Sequence, residues 1–170
     1  MKNFLSEALS PVARLLLTSD GSMTRMLEAL TLSTVSMIMK RQEILTAKNS
    51  LLNLKAFDCA GKALAREVWL SCNGKPLIYA HSLLLAADDG RYSLESIRDT
   101  EKPLGRMLID DGVKTFRGEL ALGLVKSPDV AADLSLPSDT DFWGRYYKLS
   151  SDSGLSGIIF ELFSPHLFQI

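Results

Sequence analysis

Arg66, His81 and Glu161 are the side chains of this 170-residue chain whose types and settings could do chemistry. Arg66 lies in "AREVWLSCNGKPLIYAHS", residues 65–82, which reads as a β-hairpin. Asn73-Gly74 is its turn signal, because both central positions of a type I′ turn need positive φ. Counting outward pairs Cys72 with Lys75, Leu70 with Leu77, Val68 with Tyr79, Arg66 with His81 and Leu64 with Leu83, on one side of the ladder. Ala65, Glu67, Trp69 and Ser71 take the other side. A guanidinium in that mostly apolar row is costly unless an anion meets it. Glu161 poses the same problem in "GIIFELFSP", where Ile158, Ile159, Phe160, Leu162 and Phe163 make both faces of the strand apolar. The plain reading is that Arg66 and Glu161 pair as a structural salt bridge. The other reading is a ligand site for an acid, with His81 either a hydrogen-bonded core histidine or part of that site.

The elements that must position these residues are legible from spacing. Phe4, Leu5, Ala8, Leu9, Val12, Leu15 and Leu16 recur at helical intervals, and Ser10-Pro11 predicts the start of a second short helix. "SDGSMTRMLEAL" restarts a helix after Gly21, with Ser22 or Asp20 as N-cap. β-Branched Thr34, Val35 and Ile38 favour a strand for "STVSMIMKRQEIL", and residues 46–61 are a poorly patterned connection. A loop at Asp88-Asp89-Gly90 and a short helix from near Lys102-Pro103 follow the hairpin. In "KTFRGELALGLV" Phe116, Leu120, Leu122 and Leu124 lie on one side of a strand, Arg117 and Glu119 on the other. "FWGRYYKLS" and "SGIIFELFSP" are two further strands. Strands with short connections imply a mainly antiparallel sheet with flanking helices, an α+β fold. The starts at Ser22-Met23 and Pro103-Leu104 each offer free backbone N–H groups where an anion is readily held.

Composition narrows the classes. Hydrophobic content of 46% and charged content of 23% are those of a globular protein, and the length predicts one domain, residues 1–170. A net charge of −1 without a basic patch speaks against nucleic acid as a partner. Cys59 and Cys72 make neither a disulfide framework nor a metal site, and His81 and His166 are too few for a His-rich metal cluster. Lys2 precedes no continuous apolar h-region and no apolar run approaches eighteen residues, so a cytoplasmic protein with no membrane partner is expected.

"LLLTSDGSMTRML", "REVWLSCNGKPLIYA", "KPLGRML", "FWGR" and "FELFSP" stand in the order and spacing of the chorismate pyruvate-lyase family, and the chain resembles that family from about residue 14 to residue 165. The resemblance implies a cofactor-independent lyase that converts chorismate to 4-hydroxybenzoate, a ubiquinone precursor, and pyruvate in an internal cavity. It implies Arg66 and Glu161 as the catalytic pair. A product carboxylate would meet Arg66 and the Met23 N–H, and the hydroxyl would meet Glu161 and the Leu104 N–H. Under this resemblance Arg66 is buried because its partner is a substrate carboxylate. Two departures stand out: His81 replaces the family's second arginine, and "WGRYY" replaces a more basic run. Protonated His81 could hold the second carboxylate; the alternative is a divergent member that takes a related aromatic or cyclohexadienyl acid. Ligand-sensing domains of one family of bacterial transcription regulators share this fold after a DNA-binding module, for which 170 residues leave no room. A stand-alone binding protein is therefore the rival class. A monomer without metal or cofactor is expected.

Overall fold

The strand signals pair into one sheet. In the computed structural model, residues 9–46 and 61–169 are described. They form β1 (Ser36–Thr46), β2 (Lys62–Cys72), β3 (Lys75–Ala86), β4 (Thr115–Lys126), β5 (Asp141–Ser151) and β6 (Leu155–Phe163). The strand order is β1-β2-β3-β6-β5-β4, and every neighbouring pair is antiparallel. The helices are α1 (Pro11–Thr18), α2 (Met23–Thr31), α3 (Leu94–Arg98), α4 (Leu104–Asp110) and α5 (Pro128–Asp133), with a 3-10 helix at Pro165–Gln169. The fold is α+β, as the spacing predicts.

Local chemistry starts the helices where expected. The Ser10 hydroxyl accepts from the Ala13 N–H at 3.2 Å and Pro11 opens α1, where a missing N–H costs nothing. Ser22 caps α2 through the Arg25 N–H at 3.4 Å. The Ser93 capping box of α3 and the Ser127-Pro128 start of α5 were not anticipated; both helices are too short to show a clear period. Phe4, Leu5, Ala8, Cys59 and nearly all of the expected 46–61 connection lie outside the described residues.

Alternation then sorts the core. On one face of the sheet α1 and α2 pack against Val68, Leu70, Ile78 and Phe163. On the same face α3 and α4 pack against Leu64, Leu84, Leu149 and Ile159. On the opposite face α5 meets Trp69, Phe142 and Leu162. β6 is a central strand with neighbours on both edges and side chains packed on both faces, which is why its sequence is largely apolar around Glu161.

Two register details depart from simple counting. The turn is at Asn73-Gly74, with φ of 50° and 73°, and Cys72 does oppose Lys75. Beyond it, however, Ser71 pairs with Pro76 and Leu70 with Ile78, so Leu77 is an extra residue in β3. Pro76 has no N–H to give the ladder, and a bulge there accommodates it. Every later residue of β3 changes face. Arg66 therefore opposes Ser82, and His81 opposes Glu67 on the other side of the sheet. In β4 a second irregularity between Gly118 and Ala121, with Glu119 at φ 55°, splits the expected Phe116–Leu124 stripe. Phe116 and Leu124 are 69% and 57% exposed, whereas Arg117 turns to the helix-covered face.

Candidate functional site

Between the two helix pairs, the covered face holds a partly open cavity of about 70 Å³. The alternation of β2 and β6 places Arg66 and Glu161 in its wall, and the starts of α2 and α4 bring Met23 and Leu104 to it. Four of the five residues singled out from sequence thus line one cavity. His81 does not, because the β3 bulge turns it to the opposite face. The helix starts approach closely: a Cβ on Gly105 would lie 2.9 Å from the Thr24 hydroxyl, so glycine permits the contact. Arg106 of "KPLGRML" holds the same junction by pairing with Glu28 of α2.

The ionisable groups are not paired as the plain reading expects. Glu161 is paired with Arg145, not with Arg66. Arg145 donates through Nε to Glu161 and through Nη1 to the carbonyls of Leu16 and Ser19, at 3.0 and 2.9 Å. Those carbonyls end α1, where free acceptors and the helix dipole favour a cation. The arginine of "FWGR" therefore ties a helix terminus to the buried carboxylate. Tyr147 donates to the second oxygen of Glu161 at 3.3 Å. Burial, then the Glu161 charge, push the Tyr147 hydroxyl pKa upward, so it stays a neutral donor.

Arg66 is 3% exposed and has no carboxylate partner among the described residues. Its Nη2 donates to the Met37 sulfur at 3.0 Å, a weak acceptor, and its Nε is buried without any acceptor among those residues. Burial holds its pKa below the ordinary arginine value. Arg117 also lines the cavity; its Nη1 donates to the Asp20 carbonyl at 3.1 Å and to the Thr115 hydroxyl at 3.2 Å. Sequence reasoning missed Arg145, Tyr147 and Arg117 as neighbours of Glu161 and the cavity. "FWGR" carried a signal for Arg145, while Arg117 was hidden by the strand irregularity.

Water occupies about 30 Å³ in the liquid and small-molecule pockets run to about 300–1,000 Å³. A ring-sized ligand must therefore displace wall side chains. Met37, whose unbranched side chain re-packs readily, is suited to this; it also lines an outer groove beside Arg98 and Asp110. Among the described residues no group of three or more His, Cys, Asp or Glu is placed to hold a metal ion, and no helix is long and apolar enough to cross a membrane.

The six-stranded antiparallel sheet and the helices on it define the fold shared by chorismate lyases and the C-terminal effector domains of GntR-family regulators. The effector domain of PhnF from Mycobacterium smegmatis is 18% identical over 86% of this chain and 90% of its own, with a TM-score of 0.62. The ligand-binding domain of a regulator assigned to the GntR family, from Bordetella bronchiseptica, is 17% identical over 77% of this chain and 84% of its own, with a TM-score of 0.59. The C-terminal domain of the histidine utilization repressor from Pseudomonas syringae pv. tomato gives 10%, 80%, 95% and 0.59 for the same quantities. At these identities the likeness is one of fold. The family is defined separately: the profile of the Rv2949c-like chorismate pyruvate-lyases matches residues 17–170, and this chain belongs to that family. No curated protein sequence matches it.

Proposed function

We propose that the protein is a chorismate pyruvate-lyase that forms 4-hydroxybenzoate and pyruvate in this cavity. The observation that carries the proposal is Arg66, buried in the cavity wall and lacking any carboxylate partner among the described residues. A buried charge of this kind is costly until an anion meets it. The ring carboxylate is that anion, held by Arg66 with the Met23 N–H beside it. At the far end of the ring, Glu161 and the Leu104 N–H meet the hydroxyl oxygen.

The reaction asks for orientation more than for a cofactor. The ether C–O bond breaks and its electron pair leaves with enolpyruvate. The ring carbon bearing the hydroxyl releases its hydrogen as a proton, and the ring becomes aromatic. Enolpyruvate takes up a proton at its methylene carbon to give pyruvate. Arg66 fixes the ring end, and the mostly apolar walls limit the water around the departing group. The Arg145 and Tyr147 contacts hold Glu161 in one rotamer beside the reacting oxygens.

Incubation of the purified protein with chorismate tests this directly. Pyruvate and 4-hydroxybenzoate should appear in equal amounts, and Arg66→Ala should weaken 4-hydroxybenzoate binding by about 2–5 kcal/mol. Ligand-dependent stabilisation without pyruvate release would favour the second reading, a binding protein like the regulator domains that share the fold. Unchanged affinity in Arg66→Ala would remove Arg66 from the site.

A further inference from the structure

We infer that Arg117 is the second carboxylate anchor of the cavity, which makes the site selective for a dianion with one carboxylate at each end. The inference rests on the ligand-site reading above and assigns a residue that motif spacing does not reveal.

Charge balance is the first observation. Arg66, Arg117 and the Arg145 behind Glu161 bring three positive charges to the cavity, against the single negative charge of Glu161. The net of two positive charges has no counter-charge among the described residues, since neither Arg66 nor Arg117 forms an ion pair there. Arg66 is buried and Arg117 half-buried, so the demand for a counter-charge is stronger at Arg66; a monocarboxylate meets that one, and a dicarboxylate also reaches Arg117.

Geometry is the second. Arg66 belongs to β2 and Arg117 to β4, four strand steps apart in the sheet order. β3, β6 and β5 lie between them, so the two side chains reach the cavity from opposite flanks of the sheet. They address opposite ends of a ligand rather than one group.

Donor availability is the third. The Asp20 carbonyl and the Thr115 hydroxyl both accept from Nη1 of Arg117, which fixes the guanidinium and leaves its Nε–Nη2 edge for a carboxylate. Nε is buried with no acceptor among the described residues, as is Nε of Arg66. The guanidinium also lies 5.7 Å from the centre of the Tyr147 ring, whose hydroxyl is turned to Glu161, so this contact takes none of its N–H groups. His81, the residue that sequence pairing offers for this task, faces away.

The test compares a ligand of one carboxylate with a ligand of two. Binding of 4-hydroxybenzoate and of chorismate is measured on the parent, Arg117→Gln and Arg117→Lys, with thermal midpoints on the same preparations. For chorismate the measured quantity is KM and kcat where pyruvate is released and Kd where it is not. Arg117→Gln should weaken chorismate by about tenfold or more, mainly through KM, with 4-hydroxybenzoate changed less than twofold. Arg117→Lys should recover part of the loss, and it carries the comparison if the glutamine variant does not fold. Equal losses for both acids with a lowered midpoint, or unchanged chorismate affinity, would overturn the inference. A parent that releases pyruvate while Arg117→Gln behaves identically rejects only this inference. A parent that binds chorismate through Arg117 without turnover rejects only the lyase reading, and a parent that binds neither acid rejects both.

Discussion

Glu161 shows how one carboxylate can be structural and chemical at once. Its partner Arg145 is wholly buried and has Phe163 at 5.5 Å and Tyr147 at 5.2 Å around its guanidinium. Removing one member of such a pair costs about 3–5 kcal/mol, because the other is left charged and dry. Glu161→Gln should therefore lower the melting temperature and also abolish most pyruvate release per folded molecule. The double variant Glu161→Gln with Arg145→Met removes both charges. Its melting temperature should recover part of the loss, the Leu16 and Ser19 carbonyls having lost their donor, while turnover stays low, which separates the pairing from the chemistry. Thermal unfolding and pyruvate release from saturating chorismate, on both variants, decide the matter. Recovery of turnover along with stability would assign Glu161 a structural part alone.

Strand pairing brings these residues to one place, and at Gly157 the β3–β6 seam leaves no room for a side chain. Gly157 pairs with Leu84, and a Cβ on Gly157 would lie 2.3 Å from the Leu83 carbonyl oxygen. Gly157→Ala should force the strands apart and cost about 1–3 kcal/mol, or several degrees of melting temperature at about 2–4 °C per kcal/mol. Gly123 of β4 has nothing within 4 Å of such a Cβ, so Gly123→Ala is the matched control and should be near neutral. Equal effects of the two alanines would show that the seam has slack. The bulge at Pro76 acts at the same scale, since one extra residue decides that Ser82 and not His81 shares a face with Arg66.

At the scale of the molecule, a buried charge in the cavity wall sets stability against function. Burial lowers the Arg66 pKa, so the folded state disfavours its charged form. Folded and unfolded chains both carry that charge at ordinary pH, and the penalty would fade only as pH rises through the lowered folded value. Substitution relieves it where titration does not. Arg66→Met should raise the melting temperature of the ligand-free protein by a few degrees, for about 1–2 kcal/mol of relief. Adding 4-hydroxybenzoate should raise the parent's melting temperature and leave that of the variant unmoved. A fall in the ligand-free variant would mean that the guanidinium is better satisfied than its weak contact with Met37 indicates.

Much of the fold is legible in the sequence, and the reasons are local. Ser10-Pro11 and Ser22 announce helices because a cap is satisfied within three residues. Asn73-Gly74 announces a hairpin because only a few residue types adopt positive φ readily. Arg66 and Glu161 stand out because a charge in an apolar run is expensive wherever the run ends up. What depends on contacts far apart in the chain was not readable. The partner of Glu161 is sixteen residues away, on the neighbouring strand. The phase of β3 after Pro76 and of β4 after Gly118 depends on bulges that leave no mark in the alternation of residue types. Period-two patterns carry face but not phase, and a single inserted residue reverses every assignment beyond it. The sequence by itself determined which charges needed partners; only the tertiary structure decided which charges met, because partner choice is settled by sheet order and register across the whole chain.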